Sequence, residues 1–133
     1  MPHVADARIV DFDADRAVEE MRAEVGEYLG SVAEYDRDDT HLLYASNLVV
    51  SFFEGVDGVE EFADSFHDHA AHDFYERELF EDLVPMSNEV NGFVTRMDGA
   101  LLIRYLVGDQ GLFVSTAPNA PLDTIFDVLD RTV

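Results

Sequence analysis

Apolar residues recur along this chain in two rhythms, one of three to four residues and one near two, and the switches between them divide it into elements. Residues 1–12 follow neither rhythm and read as an N-terminal arm or a short extra strand, leaving 13–133 as a single domain. From Ala14 to Leu29, residues Ala17, Val18, Met21, Val25, Tyr28 and Leu29 share one helical face, with Asp13 as N-cap and Gly30 as the stop. Ser31–Tyr35 and Thr40–Ala45 read as strands joined by the polar turn Asp36-Arg37-Asp38-Asp39. A helix is expected from near Asn47, broken at Gly55-Val56-Asp57-Gly58 and resuming from Val59 to about Tyr75 on the stripe Val59, Phe62, Ala63, Phe66, Ala70, Phe74. Leu79, Phe80, Leu83 and Val84 then fall on a different face, which predicts a kink or a new helix before Pro85 ends it. Three strands follow, Val90–Met97, Ala100–Val107 and Leu112–Thr116, the first two joined by the hairpin turn Asp98-Gly99. The middle one is almost continuously apolar and is expected at the centre of the sheet. A last helix buries Leu122, Ile125, Phe126 and Leu129.

The resulting order, α-β-β-α-β-β-β-α, predicts an α+β domain with a single five-stranded antiparallel sheet flanked by helices. A length of 133 residues suits one domain and is enough to bury a core without staples.

Charge changes the picture most. There are 29 acidic residues against 8 basic ones, a formal net charge of -21, and every basic residue is arginine. Such a surface repels itself in dilute buffer, whereas at about 1 M salt the Debye length is only ~3 Å and the repulsion is screened. With Asp exceeding Glu by 17 to 12 and lysine absent, the composition points to a salt-loaded, haloarchaeal cytoplasm. The acidity therefore reads as solvation and not as a docking signal. Nucleic acid is not an expected partner, because no basic patch exists and molar salt erodes phosphate binding. The longest apolar run, Ala100 to Ile103, is strand-sized, so no membrane insertion is expected.

Several chemistries are excluded by residue type. Without cysteine there is no disulfide, thiolate metal site or thiol nucleophile. Without lysine there is neither a phosphate-binding G-x-x-x-x-G-K-[ST] loop nor a Schiff base. No G-x-S-x-G or G-x-G-x-x-G occurs. No catalytic residue and no cofactor is expected.

Three clusters remain as candidates. In His67-Asp68-His69-Ala70-Ala71-His72-Asp73, residues His69, His72 and Asp73 have helical spacing suited to a divalent metal, against the plainer reading of a polar helix face. Asp36, Asp38 and Asp39 crowd one turn but lack the further ligands a Ca²⁺ loop needs. Arg96 and Arg104 would stand nearly opposite each other across the Asp98-Gly99 hairpin, two guanidiniums on one face for an anion or an acidic partner, unless each pairs internally. The stretch Leu48-Val49-Val50-Ser51-Phe52-Phe53 is apolar on every side of a helix, more than one sheet can cover, so it reads as core under the sheet together with a dimer interface at Leu48, Val49, Phe52 and Phe53.

The element order from Ala14 to Val133 resembles the roadblock (LC7) domain within the profilin-like folds. The turn Tyr35 to Tyr44 and the stretch Asp98 to Thr116 also resemble small haloarchaeal proteins. The roadblock resemblance implies homodimers or heterodimers built through a central helix and a sheet edge. It implies work beside small GTPases or other signalling and motility proteins. The expected function is a non-enzymatic interaction or regulatory module acting as a dimer, with a metal- or ligand-binding sensory domain as the alternative.

Overall fold

A computed structural model describes residues 2–84 and 89–133. The elements are β1 (His3–Val4), α1 (Ala14–Val25), β2 (Leu29–Tyr35), β3 (Thr40–Ala45), α2 (Asn47–Phe52), α3 (Val56–Leu83), β4 (Gly92–Arg96), β5 (Leu101–Val107), β6 (Gln110–Thr116) and α4 (Leu122–Thr132). The strands form one antiparallel sheet in the order β1-β3-β2-β6-β5-β4. The sheet has six strands instead of the expected five, because two residues of the arm pair with the outer edge of β3, His3 opposite Ala45 and Val4 opposite Tyr44.

Side-chain alternation along the strands makes two cores. On one face α1 and α4 cover Leu29, Val32, Leu43, Leu101, Ile103, Tyr105, Leu112 and Val114. The Asp13 carboxylate accepts the Arg16 N–H at 3.1 Å and starts α1, which buries Ala14, Ala17, Val18, Met21 and Val25. α1 ends at Val25 and not Leu29, because Leu29 is already the first residue of β2 and belongs to the sheet. Arg131 of α4 pairs with Glu20 and Glu24 of α1.

On the other face α3 lies over Ala33, Tyr35, Leu102, Leu106 and Phe113 through Ala70 and Phe74. Gly55 makes the corner between α2 and α3 at φ 126°, a conformation side chains resist, and a Cβ on Gly58 would lie 2.1 Å from the Phe53 carbonyl oxygen. The corner is tight enough for α3 to begin at Val56 and not at Val59. No new helix begins after Tyr75, as α3 stays helical to Leu83. The change of phase in its apolar stripe marks where the helix runs off the buried sheet, with Phe80 touching Phe93 of β4 at 6.0 Å between ring centres. Pro85, expected to end the helix, lies outside the described residues. β5 is second from the edge, while β2 and β6 form the centre, their burial hidden in sequence by Ser31, Glu34, Ser115 and Thr116.

Candidate functional site

The two arginines singled out by sequence do not share a face. Arg104 stands opposite Phe93 and Arg96 opposite Leu101, and neighbouring positions in a strand point to opposite sides. Arg104 therefore faces α3, and Arg96 lies exposed on the side of α1 and α4. Arg104 donates from Nε to Asp73 Oδ2 at 2.8 Å, and from Nη1 to Thr95 Oγ1 at 2.7 Å and the Leu102 carbonyl at 2.8 Å. Its guanidinium also sits 6.0 Å from the centre of the Phe93 ring. An arginine held by this many partners is an internal strut, and the structure does not bring Arg96 beside it.

The same ion pair turns Asp73 away from His69 and His72. Asp73 faces the sheet and is buried against Arg104, while His69 and His72 are exposed and lie beside Phe66 and Tyr75. Among the described residues no three His, Asp or Glu side chains come together in a metal-binding group. His67 contacts the Asp36 carbonyl through Nε2 at 2.9 Å, which ties α3 to the β2–β3 turn. Within that turn Asp36 Oδ1 accepts the N–H groups of Asp38 and Asp39, each at 2.8 Å. Those amide hydrogen bonds hold the Asp36 carboxyl below the usual carboxylate range. The turn aspartates thus serve local structure.

The α2 segment divides. Val49 and Phe53 turn inward and pack with Leu42, Ala45 and Val59, whereas Leu48 and Phe52 are 80% and 79% exposed. Ser46 starts the helix by accepting the Val49 N–H at 3.2 Å. Leu48 and Phe52 border a groove of about 820 Å³ whose other walls include Phe62, Met97, Ala100 and Leu102. The groove exists because α3 crosses the sheet diagonally, from β3 at its start to β4 at its end, and leaves one corner of that face uncovered. A second apolar surface follows the last turns of α3, where Tyr75, Leu79, Phe80, Leu83 and Val84 are exposed beside β4, the outermost strand. Sequence reasoning saw the phase change there but not its meaning.

Sequence reasoning also missed Glu34. This β2 side chain is fully buried on the α1/α4 face and accepts hydrogen bonds from four donors. The backbone N–H of Arg8 reaches Oε2 at 2.7 Å, and those of Ile9 and Val10 reach Oε1 at 2.8 and 3.0 Å. His41 Nδ1 lies 2.7 Å from Oε2. Burial alone would raise this carboxyl, but the bonds from His41, Val10, Arg8 and Ile9 outweigh it and hold the group below the ordinary range. The only available signal was a charged residue inside an otherwise buried strand.

No helix among the described residues is long and apolar enough to cross a membrane. No curated protein matches the chain. Solved structures do. A roadblock/LC7 domain from Streptomyces avermitilis is 13% identical, with 86% of each chain covered and a TM-score of 0.60. The gliding protein MglB from Thermus thermophilus is 18% identical, covering 97% of this chain and 92% of its own, with a TM-score of 0.60. A further MglB structure, described as having a tetrameric arrangement, is 17% identical, covering 97% and 91%, with a TM-score of 0.61. The fold is therefore roadblock-like, as the element order implied. Residues 15–132 match the model of the family described as a domain of unknown function, DUF7522, and the chain belongs to that family.

Proposed function

We propose that the protein is a non-enzymatic regulatory module that works by binding other proteins and acts as a homodimer. The observation that carries this reading is the apolar surface left on the α3 side of the sheet. α3 is the one long helix there, and it exposes Tyr75, Leu79, Phe80, Leu83 and Val84 next to the outer strand β4. Large side chains grouped in this way on a strongly charged molecule mark an interface. A second copy fits best, its α3 lying against this one and its β4 lengthening the sheet. The likeness to an MglB of tetrameric arrangement supports self-association on this fold.

The groove bordered by Leu48 and Phe52 is then left for a partner, or extends the contact between copies as the α2 sequence suggested. We take that partner to be a small GTPase or another signalling or motility protein, the class that the roadblock likeness implies, and the likeness to a gliding protein favours the motility side of it. Arg96, exposed at the end of β4, is a proposed contact for an acidic group on it. The acidic surface adapts the module to a haloarchaeal cytoplasm.

Light scattering after size exclusion in molar KCl tests the dimer. The wild type is expected at roughly twice the chain mass of 14.9 kDa, and Leu83→Asp, at a 75% exposed position, as a folded monomer. A wild type that stays monomeric at tens of micromolar, or a Leu83→Asp variant that remains a dimer, would refute the interface. Capture from the native host in molar KCl by wild type, but not by Phe52→Asp, would establish the groove as the partner surface.

A further inference from the structure

The N-terminal segment holds to the domain in an unusual way. Residues 2–12 run from the outer edge of β3 across the end of the α1/α4 core. His3 and Val4 pair with β3, and the Ala5 N–H continues the ladder to the Leu43 carbonyl at 2.9 Å. Ala7 donates to Asp15 and Asp11 to the Gln110 side chain, each at 2.8 Å. Between these points the amides of three consecutive residues, Arg8, Ile9 and Val10, converge on the Glu34 carboxylate. Ala7, Val10 and Phe12 contribute only partly buried apolar contacts.

Two consequences follow. First, most of these polar contacts use the backbone of the strap, so the receiving site recognises an extended chain with three inward N–H groups and not a particular side chain. Second, the site is built by the domain without the strap. Glu34 and His41 are cross-strand partners in the β2–β3 ladder, with their side chains on one face, and the β3 edge is set by the pairing of β3 with β2. Lifting the strap would leave the Glu34 carboxylate without three of its four donors, near an open β3 edge, two groups that each favour an incoming backbone.

We propose that residues 2–12 occupy a strand-docking site formed by the β3 edge and Glu34, and that on release this site receives residues 2–12 of a second copy of the chain. The second copy is the fitting occupant because it carries the same segment, already matched to the site, and exchanging an identical arm requires no new contact. The site lies at the opposite edge of the sheet from β4, so arm exchange is separable from the dimer described above.

The first variant keeps Glu34 and weakens the strap. Ile9→Pro in the full-length chain removes one of the three converging N–H groups. Amides of residues 4–10 are expected to exchange at least about tenfold faster in this variant, as the loss of one charge-assisted hydrogen bond implies, while β2 and β6 amides keep their protection. A labelled synthetic peptide of residues 2–12 should then bind the Ile9→Pro chain saturably at one per chain, bind the wild type far more weakly, and fail to bind Ile9→Pro/Glu34→Ala. An exposed strap without peptide binding, or equal binding to the wild type, would overturn the proposal. So would wild-type exchange in which strap amides open only together with β2 and β6, a measurement that stands even if the proline variant does not fold.

Discussion

Replacing Arg104 with methionine keeps the apolar stem of the side chain but removes the guanidinium and strands a carboxylate. The side chains of Arg104 and Asp73 are 11% and 6% exposed, with Nε and Oδ2 2.8 Å apart. Two unit charges about 4 Å apart interact by roughly 4 kcal/mol at the effective dielectric near a protein surface. Removing one member of such a pair costs about 3–5 kcal/mol, because the remaining charge is buried alone. Tyr35 offers Asp73 little relief. Burial and then the Asp73 charge push its phenol well above the usual value, and its buried hydroxyl has no hydrogen-bond partner among the described residues. Against a typical total of about 5–15 kcal/mol, the expected loss is a large fraction of stability. Urea unfolding at pH 7 in fixed molar KCl measures it, since guanidinium would change the ionic strength together with the denaturant. Asp73→Leu in the same background should restore most of the loss, as an apolar side chain replaces the stranded carboxylate. A single-variant loss below about 1 kcal/mol would show that the pair is effectively solvated. A double variant as unstable as the single one would place the cost in the lost Thr95 and Leu102 bonds and refute the stranded-charge argument. If Arg104→Met instead abolished partner capture without lowering stability, the anion-gripping reading of the sequence would return.

The depressed carboxyl of Glu34 makes folding stability depend on acid: its contribution is complete above the unfolded value near 4.5 and is lost as pH falls through the lower folded value. A urea series from pH 7 downward should show this decline, flattened in Glu34→Gln; equal slopes in both proteins would assign the dependence to other groups. With a net charge of -21, the wild type should gain thermal stability as KCl rises from 0.1 M to 2 M, and a melting temperature indifferent to KCl would remove the salt-adaptation proposal. Gly111→Ala should destabilise by about 1–3 kcal/mol, because its Cβ would lie 2.7 Å from the ring of Tyr35; an unchanged urea midpoint would show that this ring shifts freely.

Local rules located most of the elements. The cap Asp13, the glycines at 55 and 58 and the apolar stripes of α1, α3 and α4 act over one to four residues, so their effects are written in adjacent sequence. The roadblock-like order, the antiparallel pairing and the surplus apolar surface of α2 were legible for the same reason. Strand register and sheet order were not, because they depend on contacts between distant segments. A one-residue difference in register separates two arginines facing one partner from an Arg104 buried against Asp73 and an Arg96 on the opposite face. Likewise, the mixed polarity of β2 disguised a central strand, and Glu34 has meaning only once a segment twenty-four to twenty-six residues earlier lies across it. Periodicity reports which side of an element is apolar. What that side meets is decided by packing, and here packing turned Val49 and Phe53 inward, left Leu48 and Phe52 outside, and carried the end of α3 past the core.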